Sequence, residues 1–219
     1  MGARTAFGGG GSSIALVGTP TVGEGVGSST TIASAAKATT TGNLIVVPIH
    51  GFTGGNTITG CVDTASNTYA QATGAYADGV NGLNDIWYAK NITGHAANVV
   101  TCTFANASLF RSIHQIEYSG ASTTAPFDTA ALGQATSSTS VTSASFSPSS
   151  GSVNVAITSQ GSTGSDDWVA GTNYTKISVS GSSVNTAVEH RLAAPGGAQT
   201  ASITFSLTNL QMSVASFKP

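Results

Sequence analysis

Asn98–Tyr118, NVVTCTFANASLFRSIHQIEY, decides how this chain is read. Apolar residues alternate through VVTCTF and again through LFRSIHQIEY, a period of two that marks strands with one buried face. Asn106-Ala-Ser between them predicts a short turn, and so a hairpin. Thr200–Phe217, TASITFSLTNLQMSVASF, has the same layout: an alternating run ending in Thr204 and Phe205, a polar turn, and a return run ending in an aromatic.

Working outward, the segments before each of these stretches also correspond. NLIVVPIH, NTITGCVD, NTYAQAT and LNDIWYAK precede the first; GSVNVAITS, NYTKISVS and VNTAVEHRL precede the second. Gly42 aligns with Gly151, Tyr69 with Tyr174, Phe104 with Phe205 and Tyr118 with Phe217. Strands of this length, frequent turn signals and no usable 3.6-residue period predict an all-β, antiparallel fold. The expected architecture is one two-sheet β-sandwich of the jelly-roll kind over residues 14–219. Its halves are 42–120 and 151–219, joined by a Ser/Thr/Ala-rich segment, 121–150, that carries a further strand at Ser140–Phe146. Pro48 implies a bulge or an edge within NLIVVPIH. VGEGVG, with Gly23, Gly25 and Gly27, reads as a turn, because no helix pattern follows it to make a dinucleotide loop.

Only 7% of the residues are charged, against about 25% in an ordinary domain. The surface is therefore neutral and hydroxyl-rich, which suits a protein facing the exterior or other copies of itself. A net charge of −2 with seven scattered Lys and Arg residues supplies no basic stripe, so nucleic acid is not an expected partner. No apolar run reaches the roughly 18 residues of a membrane span, and a membrane is not expected either. Residues 1–13 form a Gly-rich arm anchored by Phe7 and followed by Gly8, Gly9, Gly10 and Gly11; these are the candidate partner-docking residues. The arm lacks the apolar stretch of a secretory signal.

Cys61 and Cys102 both fall at apolar-alternating positions. They read either as two small core residues or as a disulfide closing a loop of about 40 residues.

TGNLIVV, VDTASNTYAQA, IWYAKNITG, VTCTF, EYSGASTTAPFDTA and the terminal ASFKP resemble β-sandwich modules of uncharacterised bacterial extracellular proteins and of tailed-phage virion proteins, which are similar to the concanavalin A-like jelly roll. The resemblance spans roughly Thr41–Pro219. It implies fold rather than activity and transfers no catalytic residue.

The candidates for chemistry are few. Glu24, Glu117 and Glu189 are the only glutamates; the last two, in different strands, could form the carboxyl pair of a glycosidase, but each reads first as a solvent-facing strand residue. His50, His95, His114 and His190 show no metal-ligand spacing. Asp63 with Asn67, and Asp166 with Asp167, offer calcium-type oxygen ligands, although Asx-turn bonding accounts for both without a cofactor. Trp87, Tyr88, Trp168, Tyr174 and Tyr76 are aromatic candidates for stacking on sugar rings. Of these, Trp168, in a Gly-rich acidic loop, is expected to be exposed and with Tyr174 to contact a glycan.

These features predict a non-enzymatic structural protein on a particle exterior, a tailed-phage capsid decoration or head-fibre protein located at the virion surface. Its partners would be itself, as a homo-oligomer such as a trimer, and a capsid or other particle protein. Phage proteins assemble in the host cytoplasm and leave by lysis, which reconciles an exterior-type surface with the missing signal. The alternatives are a carbohydrate-binding or adhesive module of a secreted or cell-surface protein, and a subunit of an extracellular filament.

Overall fold

The computed structural model describes residues 13–53, 55–74, 76–77, 82–160, 167–181, 184–206 and 209–219, with residues 76 and 77 described by backbone alone. Phe7, Gly8, Gly9, Gly10, Gly11 and Asp166 lie outside the described residues, as does the Tyr76 side chain. All of the regular structure is β, and the described residues contain no helix.

The first half holds β1 (Ala15–Leu16), β2 (Thr21–Gly25), β3 (Ser29–Ala33), β4 (Lys37–Thr39), β5 (Leu44–Phe52), β6 (Ile58–Asp63), β7 (Ala70–Gln71), β8 (Tyr76–Ala77), β9 (Leu83–Ala89), β10 (His95–Asn98) and β11 (Val100–Ser119). The second holds β12 (Phe127–Ala135), β13 (Ser140–Thr142), β14 (Ser152–Gln160), β15 (Val169–Ala170), β16 (Thr175–Val179), β17 (Thr186–Ala194), β18 (Ser202–Thr204) and β19 (Leu210–Phe217).

The stretch read as a hairpin is instead one 20-residue strand, β11, that passes from one sheet to another. Its first part pairs with β3 and β6, through Cys102↔Ile32 and Cys102↔Cys61. Its second part pairs with β2 and β5, through Ile113↔Gly23 and Ile113↔Ile49. The crossing lies near Phe110, which takes a left-handed φ of 43°. The reason is burial: Cys102 and Phe104 from one sheet and Ile113 from the other enter the same core. A hairpin would have laid both runs in one sheet and left nothing to cover it. The closing stretch behaves alike, with β18 between β13 and β15, and β19 between β12 and β14.

Each half therefore contributes a large inner sheet and a small outer one. The inner sheets run β2-β11-β5-β9-β7 and β12-β19-β14-β17-β16; the outer ones are β3-β11-β6 and β13-β18-β15. One core, including Ile45, Val47, Ile49, Phe104 and Ile113, fills the first half, and another, including Trp168, Phe205, Met212 and Val214, fills the second. A third joins the halves, with Leu44, Val46, Ile116 and Tyr118 meeting Val153, Val155, Ile157 and Phe217. The expected pair of sheets is thus corrected to four sheet layers enclosing three cores. Alternate residues of β5 serve different cores, Ile45 and Val47 one way and Leu44 and Val46 the other. That explains its near-continuous apolar run. Each such side chain contributes about 1.5–3 kcal/mol when fully buried.

Pro48 lies inside β5, opposite Ile86, and not at an edge or bulge. One missing ladder hydrogen bond is outweighed there by Val47 and Ile49, both fully buried. Gly23 and Gly25 are strand residues rather than turn residues. A Cβ on Gly23 would lie 1.7 Å from the Ala33 carbonyl oxygen, and one on Gly25 would lie 2.7 Å from the Arg111 guanidinium. Close approach is the reason for both glycines.

Cys61 and Cys102 sit directly opposite on β6 and β11 and form a disulfide, so of the two readings of the cysteines the bridge holds. At the corresponding register of the second half, Ala170 faces Ile203.

Candidate functional site

The DTASN loop is organised by Asp63. Its Oδ1 accepts the Asn67 N–H at 2.9 Å, and its Oδ2 accepts Asn67 Nδ2, Tyr69 Oη and Asn98 Nδ2 at 2.8, 2.9 and 3.0 Å. These donors hold the Asp63 carboxyl below its usual pKa, against the opposing effect of burial. Burial, with the Asp63 carboxylate beside it, pushes the Tyr69 hydroxyl well above its ordinary range. The bonds from Asn67 to Asp63 are those of an Asx-type turn, to which Tyr69 and Asn98 add. Asn67 then ties the loop to its neighbour: its Oδ1 accepts the Thr93 N–H at 2.7 Å, and its Nδ2 donates to Thr93 O at 3.2 Å.

Between these bonded loops and the end of β9 lies a cleft of about 400 Å³, lined by Ser66, Asn67, Thr68, Tyr88, Lys90, Asn91 and Thr93 among others. Ser66 and Asn91 turn its two walls with φ of 60° and 46°. Tyr88 forms its aromatic side, steadied from behind by Phe127 and Phe217 at centroid distances of 6.1 and 5.3 Å. Lys90 donates from Nζ to the Thr124 carbonyl. None of the lining side chains is a carboxylate, imidazole or thiol. Amides, hydroxyls, one aromatic side chain and the Lys90 ammonium, itself engaged by the Thr124 carbonyl, are groups that can hydrogen-bond and pack a hydroxylated ligand. Asn67 and Tyr88 are candidates of different kinds in the sequence, one for a cation and one for a sugar ring. The Asx signal of DTASN was legible, but its packing against NIT at 91–93 was not.

Other sequence candidates lie inside. Trp168 is only 4% exposed and stacks on Phe205 at 4.0 Å between ring centroids, which corrects the exposed glycan-contact reading. Its indole belongs to the second-half core, and Tyr174 is buried beside it. Burial pushes the Tyr174 hydroxyl up to about 12. Glu117 and Glu189 are fully buried rather than solvent-facing. Glu117 accepts from Thr40 N and Asn43 Nδ2 at 2.8 and 2.6 Å. Glu189 accepts the Gly171 N–H at 2.9 Å, and burial pushes its carboxyl up to about 8. The two glutamates line different sandwiches, on opposite sides of the shared core, and do not form a glycosidase pair. Asp85, also buried, accepts from Gln71, Thr73, Ile86 and Trp87; burial nevertheless pushes it up to about 6.

His50 and His114 are neighbours, and His95 and His190 have partners of their own. His95 accepts the Ala97 N–H, and Tyr118 Oη meets His190 Nδ1 at 3.0 Å. His50 and His114 lie where the inner sheets face each other, in two rows set by register: Ser112, His50 and Asn84 on one sheet, and Gln211, Ser159 and Thr186 on the other. His114 bonds Ser178 Oγ at 2.7 Å and Thr186 Oγ1 at 3.1 Å, and Asn84 Nδ2 donates to Gln211 O at 3.1 Å. Burial lowers His50 to about 4; burial and the neighbouring His50 lower His114 to about 3. Among the described residues no group of three or more His, Cys, Asp or Glu is placed to hold a metal ion. Compared with known proteins, the chain matches no family model, no curated protein and no solved structure.

Proposed function

We propose that this chain is a structural protein on the exterior of a particle, a tailed-phage capsid decoration or head-fibre protein, and that each half is a small jelly roll. The strand order supports the jelly-roll reading. With β1, β4, β8 and β10 set aside, the first strand of each half lies beside the last, the last beside the third and the third beside the sixth, while the second, seventh and fourth form the outer sheet. The observation that carries the structural role is where the reactive side chains go. His50, His114, Asp85, Glu117 and Glu189 are all buried, and the outside keeps a sparsely charged, hydroxyl-rich face. Such a surface offers little electrostatic resistance to close packing against a shell or a second copy.

The role is tested by solution mass and by particle binding, comparing the full chain with a form lacking residues 1–13. A discrete oligomer, such as a trimer, and arm-dependent binding to a capsid are expected. A monomer in both forms, with equal particle binding, counts against the proposal.

The Tyr88 cleft favours a second reading, a carbohydrate-binding or adhesive module. It predicts saturable binding of neutral glycans that Tyr88→Phe and Lys90→Ala weaken and Trp168→Phe leaves alone. No saturable binding across a glycan array removes it.

A further inference from the structure

Tyr88 lies near the end of β9 and Lys90 just beyond it. Two residues apart in extended chain, their side chains leave the same face about 6.5–7 Å from one another, a span that one sugar ring fills. Both line the cleft described above, with Ser66 and Thr68 from one loop and Asn91 and Thr93 from the other. Tyr88 is half-buried against Phe127 and Phe217, whereas Lys90, Asn91 and Thr93 are exposed. Burial pushes the Tyr88 hydroxyl above its ordinary value, so it stays protonated and can donate.

Part of the wall is already committed. Asn67 spends its amide on Asp63 and on the Thr93 backbone. Asp63, one hydrogen bond behind Asn67, spends both oxygens on Asn67, Tyr69 and Asn98. An incoming group therefore meets the Lys90 ammonium and not a carboxylate, because Lys90 is the one charged side chain among the described lining residues. That ammonium gives one of its three hydrogens to the Thr124 carbonyl. A carbonyl is a neutral acceptor, so the positive charge stays uncompensated at the cleft and two donors are left over.

We propose that this cleft prefers a sugar bearing one anionic substituent, a carboxylate or a sulfate, over the same sugar without it. The anion pairs with Lys90 Nζ, the ring lies along Tyr88, and the remaining hydroxyls meet the side chains of Ser66, Thr68, Asn91 and Thr93. The inference rests on the carbohydrate-binding reading of the cleft and adds to it the charge of the ligand. A neutral sugar makes the same ring and hydroxyl contacts and binds less tightly. Lys90 is exposed, so the pair is worth what a surface ion pair is worth, a preference of about 2–5-fold. Salt screens it.

The test is titration of the intact protein with oligosaccharides of glucuronic, galacturonic and sialic acid, each beside its carboxyl-reduced form, and with a sulfated galactan beside its desulfated form. Saturable binding is expected, with an acidic form preferred about 2–5-fold at low salt and the preference shrinking as salt is raised. Lys90→Met should bring the two members of that pair to one affinity, Lys90→Arg should keep the preference, and Tyr88→Phe should weaken both members together. Whether the preference appears in a carboxylate pair or in the sulfate pair identifies the anion. Equal affinity within every pair, or a preference undiminished in Lys90→Met, overturns the charge inference and leaves the glycan reading standing. No saturable binding of any of these sugars overturns both.

Discussion

Replacing the disulfide of the first half with the pair that the second half uses, Cys61→Ala with Cys102→Ile, separates covalent from packing stabilisation. The bridge closes a sequence separation of 41 residues. In the chain-entropy relation that constraint removes about 13 cal/mol/K from the unfolded chain, or about 4 kcal/mol at 25 °C. Ile at 102 enters a fully buried position among Ile32, Val100 and Phe104 and regains part of this, as Ile203 does beside Ala170. A net loss of about 2–4 kcal/mol is expected, most of it reproduced in the wild type by reduction alone. Each half carries one tryptophan, Trp87 against the first core and Trp168 within the second. Guanidinium unfolding of Trp87→Phe and Trp168→Phe backgrounds thus reads the halves separately. The Trp168→Phe background should show the larger fall in midpoint, because its remaining tryptophan reports on the bridged half. Equal midpoints for oxidised wild type and variant would refute the reasoning. So would a fall seen only through Trp168, since the loss would then lie outside the bridged half.

Trp168→Ala should act as a core deletion, costing about 3–5 kcal/mol; a denaturation curve like that of the wild type would restore the exposed reading. Acid should loosen the joint between the halves. His50 and His114 are held below their ordinary value of 6.5, so their contribution is complete above pH 6.5 and is lost as pH falls toward 4 and 3. For His50 alone this is on the order of 3 kcal/mol; His114→Gln should flatten the decline in urea midpoint between pH 7 and 4, and an unchanged slope would count against it. Gly23→Ala should destabilise the first half by well over 1 kcal/mol, because the Ala33 backbone must move; a midpoint equal to that of the wild type would show that β2 and β3 part without cost.

The deciding stretch shows how far a one-dimensional reading carries. Alternation in VVTCTF and LFRSIHQIEY identified strands, and its return near the C-terminus paired Phe104 with Phe205 and Tyr118 with Phe217. Those pairs occupy matching places, the first in the two separate cores and the second in the shared one. The Asx chemistry of Asp63 with Asn67 was local and therefore legible as well. Trp168 was misread for the same reason: Gly, Ser and Asp around it describe a loop, but Phe205, which covers its ring, lies 37 residues further along.

The sequence by itself determined that this chain is all-β, antiparallel and organised as a repeat, because period-two alternation and turn residues act over a few neighbours. Only the tertiary structure decided that β11 changes sheets, that Glu117 and Glu189 point inward, that the two cysteines meet, and that the halves join through a third core. A period of two specifies which side chains share a face of a strand. What covers that face depends on partners tens of residues away, and local alternation carries no information about them.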